Sequence, residues 1–327
     1  MKSAHRLFSL LAPICLTIVS GAARATEPLR VGVIGLDTSH ATEFTAIINT
    51  PRPAGAEYGL KVVAAYPQGS RDIAESVSRV PEYTEKMKGM GVEIVDSIET
   101  LLTKVDVVLL ETNDGRVHLE QLRPCLKAKK PVFVDKPVAG SLTDVVAIFD
   151  EAKAAGVPVF SSSALRFAKA TQEVRNGSLG KMLQAETISP AHLEPTHPDL
   201  FWYGIHGVES LVTLMGPGAE KVKRGATADG KIEVTVTWKD GRTGIFREGQ
   251  GYSAKVKGDK GEGAAGQFDG YEPLVKEIAA FFHSGKSPVT TEETLEIYAL
   301  MEAADESKRR GGAEVTLAEV MAKTRSK

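Results

Sequence analysis

With 327 residues, 42% of them hydrophobic and 25% charged, the chain has an ordinary globular composition and enough length for two domains, which excludes a disordered or fibrous protein. Its 40 Lys and Arg against 42 Asp and Glu leave a net charge of −2. Nucleic-acid binding needs a basic field that this balance does not provide, so small molecules are the expected partners.

Residues 1–25 carry Lys2 and Arg6, an apolar run from Leu7 to Val19 broken by Pro13, and Ala23-Arg24-Ala25 with small residues at both cleavage positions. This is the pattern of a secretory signal peptide. The run is shorter than the roughly 20 residues a bilayer span needs. The expectation is an exported product, periplasmic or extracellular, with no membrane span in the mature chain. Cys15 leaves with that segment, and Cys125 alone cannot form an internal disulfide.

The mature chain opens with LRVGVIGLDTSHATEF, Leu29 to Phe44. Val31, Val33 and Ile34 form a short apolar strand, Gly35 ends it, and Thr38 and Ser39 supply capping side chains before a helical pattern resumes over 41–48. Strand, tight turn and helix in that order open a nucleotide-binding βαβ unit, whose turn ordinarily reads G-x-G-x-x-G. Here the three positions hold Gly35, Asp37 and His40. Only the bend glycine is kept. A carboxylate at Asp37 is expected to face the pyrophosphate charge at a helix N-terminus that otherwise attracts anions. A protonated His40, Ser39 and the backbone N–H groups beside it still offer a phosphate seat.

KVVAAY, 61–66, is the second buried strand, with a helix over 72–80 after it. The acid that usually meets the ribose hydroxyls at this strand end is replaced by YPQGSR, so Ser70 and Arg71 favour NADP over NAD, with a merely solvated Arg71 as the alternative. Strands follow at 92–95 and 105–110, separated by a helix over 97–103. Asn113 lies just beyond the second of them, and His118 begins an amphipathic helix. PVFVDKP, 131–137, is a fifth strand ending in Asp135-Lys136-Pro137; a helix over 142–155 and a sixth strand at 157–160 complete the series. Such alternation calls for a parallel sheet covered on both faces, and ligands bind such sheets outside the carboxyl ends of the strands.

After about residue 167 the texture changes. Strand-like runs at 184–188, 232–238, 243–247 and 253–256 are joined in part by Asp-Gly turns, which is antiparallel chemistry. Helices are expected around 205–215, 271–283 and 292–310, and 258–270 reads as a surface loop. The fold class is therefore α/β, with a parallel N-terminal domain over 29–150 and an α+β domain with a mostly antiparallel sheet over 151–327.

The order of these signals resembles the glucose-fructose oxidoreductase, inositol dehydrogenase and rhizopine-catabolism (Gfo/Idh/MocA) family. The resemblance rests on Asp135-Lys136-Pro137 for the family's E-K-P, Asn113 and His118 after the fourth strand, NGSLGKM at 176–182, Gly204-Ile205-His206 with Glu209 for D-x-G-x-H-x-x-D, and the closing GKSPVTTEETLEIYALMEAADES. It implies a Rossmann domain, a C-terminal open sheet through which the chain forms a homo-oligomer, and hydride transfer between NADP or NAD and a carbohydrate. The family includes a periplasmic member that keeps its NADP bound. The leading acid of the histidine motif falls at Trp202, and Glu209, three residues beyond His206, is the candidate to replace it.

The resemblance assigns the carbinol proton to Lys136 and His206, with Glu209 in support. An exposed strand end for Lys136 and a satisfied helix-start histidine for His206 are the alternatives. It places the cofactor against Gly35, Asp37, Thr38, Ser39, His40, Ser70, Arg71, Asn113, His118, Asp135 and Lys136. Trp202 and Tyr203 can stack on a sugar ring or anchor a loop, and Arg166 can reach a sugar hydroxyl or make an interdomain salt bridge. His192, Glu194, His197, Asp199, His206 and Glu209 are dense in ligand types, but their spacing matches no zinc motif, so no metal is expected. The two other functions the chain allows are a non-redox sugar-processing enzyme, such as a lyase or hydrolase, and a carbohydrate-binding protein.

Overall fold

The computed structural model describes residues 27–53 and 58–326, so the export signal read over 1–25 lies outside the described residues. The first sheet is parallel throughout: β1 (Leu29–Ile34), β2 (Leu60–Tyr66), β3 (Glu93–Ile94), β4 (Val107–Leu110), β5 (Val132–Val134) and β6 (Val159–Phe160) lie in the order 3-2-1-4-5-6. VVLL and VFV are buried along their whole length, which is why β4 and β5 show no polar alternation. Strand order reverses between β1 and β4, and the crevice that ligands use in such sheets lies outside the carboxyl ends of that pair.

The connecting helices are α1 (Ser39–Asn49), α2 (Ala74–Gly89), α3 (Ile98–Leu102), α4 (His118–Lys127) and α5 (Leu142–Ala155). Thr38 caps α1, its side chain accepting from the His40 N–H. The helix expected to stop near Val80 continues through Pro81 to Gly89. Pro81 removes one internal hydrogen bond, but Lys86 and Lys88 in the last turn pair with Glu82 and Glu85 and suit the helix C-terminus.

The second unit comprises α6 (Lys169–Arg175), β7 (Met182–Ser189), α7 (Ile205–Met215), β8 (Ala219–Ala226), β9 (Ile232–Trp238), β10 (Thr243–Glu248), β11 (Ser253–Gly258), β12 (Gly261–Ala265), α8 (Glu272–Ser284), α9 (Thr291–Arg309), β13 (Val315–Thr316) and α10 (Leu317–Arg325). Its sheet runs 12-11-7-10-9-8-13, with β7 and β10 parallel and every other pair antiparallel. The loop expected over 258–270 contains β12.

Two corrections concern how the domains divide. β6 pairs with β5, so the first sheet runs past residue 150 to Phe160. Helix α8, though late in the chain, packs back on the first sheet: Leu274, Val275, Ile278 and Phe281 share a core with Val31, Val33, Phe44, Phe133 and Phe160, and the Phe160 and Phe281 rings meet edge to face at 4.7 Å. Every residue of α7 is buried, against β7 and β10 of the second sheet on one side and α6, α9 and the turn after β6 on the other. That places the His206 end of α7 opposite the carboxyl ends of β5 and β6. Among the described residues no helix is long and apolar enough to cross a membrane.

Candidate active site

A cleft of about 540 Å³ lies where the loops after β1, β4, β5 and β6 face α7 and the segment before it. That volume suits a small-molecule site.

On the first sheet's side, Gly35 has φ +94°, and a Cβ there would run into the backbone of Thr112 at the end of β4, so only glycine fits. Asp37 does not face the cleft. Its carboxylate is fully buried and accepts from the backbone N–H of Ser70 at 2.7 Å and of Asn113 at 2.9 Å, tying together the loops after β1, β2 and β4. Burial pushes this carboxyl above its usual range, and the two N–H groups oppose the shift. The expected clash between Asp37 and a pyrophosphate is thereby removed, since the charge is turned inward. Thr38, Ser39, His40 and Asn113 line the cleft at the N-terminus of α1.

Ser70, Arg71 and His118, also assigned to the cofactor, lie elsewhere. Ser70 is buried, its hydroxyl donating to Asp114. Arg71 is exposed and paired with Glu120 at 2.9 Å, so it is the solvated residue that was the alternative. The His118 ring is buried between the carbonyls of Val138 and Thr112 at 3.0 and 2.7 Å, where it braces two loops. Arg79, on α2, is the arginine that does reach the cleft. Asp135 is buried behind it: Oδ2 meets His40 Nδ1 at 2.7 Å and Oδ1 accepts from the Lys136 N–H.

Lys136 and His206 face the same cleft, although they are 7% and 8% exposed. The Lys136 ammonium lies 5.8 Å from the centre of the Tyr203 ring. His206 Nδ1 meets Ser163 Oγ at 2.8 Å. Burial first, then the nearby charges of Lys136 and His40, hold the His206 pKa well below its usual range, so the ring is neutral at pH 7. Ser163 Oγ also accepts from the Leu165 N–H, which leaves it able to accept Nδ1–H and so present the Nε2 lone pair to the cleft.

Glu209 and Arg166 need correction. No side-chain hydrogen bond joins Glu209 to His206. Glu209 accepts from Ser162 Oγ at 2.7 Å and from the Ser163 N–H at 2.9 Å, and pairs with Arg166 at 2.7 Å. It positions the serine that holds the histidine. Arg166, 2% exposed, also pairs with Glu293 on α9 at 2.6 Å, so it is the interdomain salt bridge and touches no ligand space.

A wide π-helical turn at Leu200–Gly204 runs directly into α7 and sets Trp202 and Tyr203 into the cleft wall, with Phe201 in the core. Tyr252, Phe268 and Tyr271 complete this wall and were not legible as site residues, since each sits in a segment that reads as loop or helix start. The Tyr203 and Tyr252 hydroxyls lie 3.2 Å apart, and burial pushes Tyr271 up to about 12. Ser163 was missed too; the run Ser161-Ser162-Ser163 just after β6 is the signal that could have found it.

The ligand-type residues near α7 do not converge. The His197 ring lies tilted against Trp202 and reaches Asp114 at 3.2 Å, Asp199 pairs with Arg224 and Lys308, and Glu194 accepts from Thr196. Among the described residues, the three-residue group with ligand atoms close enough for a metal is His40, Glu111 and Asp135.

Residues 29–163 match the model of an oxidoreductase family with an NAD-binding Rossmann fold. Over 221 residues the chain is 29% identical to a myo-inositol 2-dehydrogenase of Thermotoga maritima, in an alignment that covers 63% of this chain and 59% of that relative. A probable dehydrogenase from Thermotoga maritima has a similar structure, with TM-score 0.70 at 23% identity, covering 89% of this chain and 100% of that one. The scyllo-inositol dehydrogenase of Lactobacillus casei with bound NAD(H) and scyllo-inositol gives TM-score 0.69 at 16% identity, covering 89% and 99%. At these identities the structural likeness establishes the fold.

Proposed function

We propose that this chain, which belongs to the Gfo/Idh/MocA oxidoreductase family, is an NAD(P)-dependent oxidoreductase interconverting a carbinol and a carbonyl on a sugar or polyol. The observation that carries this reading is the convergence of Lys136 and His206, from opposite units, on one aromatic-walled cleft that also takes in the N-terminus of α1. The residues present fit the cofactor, because Asp37 is turned inward and the capped start of α1 is left as an anion seat. When bound, a nicotinamide supplies the hydride acceptor. The Lys136 ammonium holds the substrate oxygen and favours the alkoxide that develops on it. His206 takes the hydroxyl proton at Nε2 while Ser163 holds Nδ1, and Glu209 holds Ser163. Trp202, Tyr203 and Tyr252 exclude water and offer ring faces to sugar C–H groups. The proposal includes export of the mature chain and its assembly with a second copy through the open face of the second sheet, where Leu183 and Ile188 on β7 are exposed.

His206→Asn is expected to lower kcat/KM about 10²-fold, the usual contribution of positioned proton transfer. Because its pKa is depressed, the neutral base persists as pH falls, so the acid limb of the wild-type kcat/KM profile belongs well below 6.5. The stability sign agrees. Below the unfolded value the unfolded chain binds a proton that the folded chain does not, so His206 lowers stability as pH falls through 6.5. A wild-type limb at or above 6.5 removes His206 as the base.

One observation favours the non-redox enzyme instead: the fingerprint turn keeps Gly35 and replaces its other two glycines with Asp37 and His40. The separating experiment denatures mature protein taken from its export compartment and measures released nucleotide by mass and absorbance. Stoichiometric NAD(P) is expected. A protein that releases none and shows no thermal shift with millimolar NAD(P) is the non-redox enzyme.

A further inference from the structure

Proton handling at a carbinol does not account for all the ionisable chemistry buried at the cleft floor. Glu111, the residue directly after β4, is 0% exposed, and neither of its carboxylate oxygens has a hydrogen-bond partner among the described residues. Native proteins rarely leave such a group unmatched, and an ion is one of the few things that explains it. His40 from the first turn of α1 and Asp135 from the end of β5 stand beside it, and one ligand atom from each of the three lies within 4.8 Å of the others. We propose that His40, Glu111 and Asp135 form a site for one divalent cation, Zn²⁺ or Mn²⁺, at the floor of the cleft.

The three residues leave the carboxyl ends of β1, β4 and β5, neighbouring strands whose spacing is fixed by their hydrogen bonds. One imidazole and two carboxylates form a donor set of intermediate hardness that suits zinc or manganese. Ligands about 2.0–2.2 Å from a shared ion stand roughly 3 Å or more apart. The present 2.7 Å contact between His40 Nδ1 and Asp135 Oδ2 therefore opens by only a few tenths of an ångström to admit one. The supporting shell is in place: the Lys136 N–H donates to Asp135 Oδ1, Phe44 stacks on the His40 ring at 5.3 Å, and Tyr271 meets it edge-on at 4.8 Å. Lys136 is the neighbouring cation the site must tolerate, and its ammonium is directed toward the Tyr203 ring. His40 lines the cleft, which gives an ion its entrance, and a three-ligand site leaves a coordination position for water or a substrate oxygen. This inference does not rest on the redox reading.

The test uses the full chain, purified without a metal-affinity step, with elemental analysis before and after chelation. About one equivalent of divalent metal is expected. Readdition of Zn²⁺ or Mn²⁺ to the stripped protein should raise its melting temperature, and the two arms identify the ion. Glu111→Gln, nearly isosteric, should bind at least the roughly 10–100-fold more weakly that loss of even a supporting residue costs, and His40→Gln gives the same readout should that variant fail to fold. A wild-type protein with no metal and no thermal response overturns the proposal, as does a variant that keeps the wild-type response, since the ion then sits elsewhere. Nucleotide release is measured separately, so either assignment can fail alone.

Discussion

Lys136→Ala is expected to reduce turnover about 10³-fold or more while the protein stays folded. The ammonium is the positive charge that the cleft places beside Tyr203 and opposite His206. Its loss removes both a grip on the substrate oxygen and the stabilisation of developing negative charge, effects worth on the order of 10²–10³ each when a site is dry and preorganised. The fold tolerates the change because the carboxylate next to it keeps other partners: Asp135 still has His40 and the backbone N–H of residue 136. Lys136→Met, which retains most of the aliphatic stem, should be equally inactive, separating charge from packing. Turnover with a series of polyols, read alongside circular dichroism and the melting temperature, checks both variants. A folded, fully active Lys136→Ala would leave the strand-end alternative standing.

The second large effect concerns stability. Arg166→Leu should cost about 3–5 kcal/mol, the range for removing one partner of a buried ion pair. Arg166 joins Glu209 on α7 to Glu293 on α9 from the turn after β6, so it links the first sheet to both helices of the second unit. Glu293 keeps Arg175 at 2.9 Å after the substitution, so the stranded charge is mainly that of Glu209. The double variant Arg166→Leu/Glu209→Gln should recover part of the loss, because no uncompensated charge remains on α7. Urea unfolding of the three proteins gives the coupling directly. A loss under about 1 kcal/mol for the single variant would mean that the pair is solvated.

Where sequence and structure agree, a local pattern was enough. The buried runs of β1, β2 and β4 and the Asp135-Lys136-Pro137 terminus announce a strand end with a lysine at it. The Gly204-Ile205-His206 step likewise announces the start of α7. What could not be read depended on partners distant in sequence. Asp37 looks like an obstacle until its two backbone donors, 33 and 76 residues away, are seen. Glu209 looks like a substitute acid because it is three residues from His206, but Arg166 and the serine loop pull it to the other side. β8 reads AEKVKRGA and β12 reads GEGAA; neither carries the apolar alternation that marks a strand, and both are held by neighbours in the sheet. The return of α8 to the first sheet is a choice among apolar surfaces, which its own amphipathic pattern cannot specify.

The inward turn of Asp37 also bears on how such a chain changes over generations. Gly69 passes so close that a Cβ there would stand 2.8 Å from the Asp37 carboxylate. Asp37→Gly, the single step toward a glycine fingerprint, would leave the N–H groups of residues 70 and 113 without their acceptor, at roughly 1–3 kcal/mol for the buried one. The loop around Gly69 would meanwhile close on a gap. Replacing Gly69 first collides with Asp37. Each residue therefore constrains what the other position accepts, so positions 37 and 69 form one unit in which a change at either is felt at both.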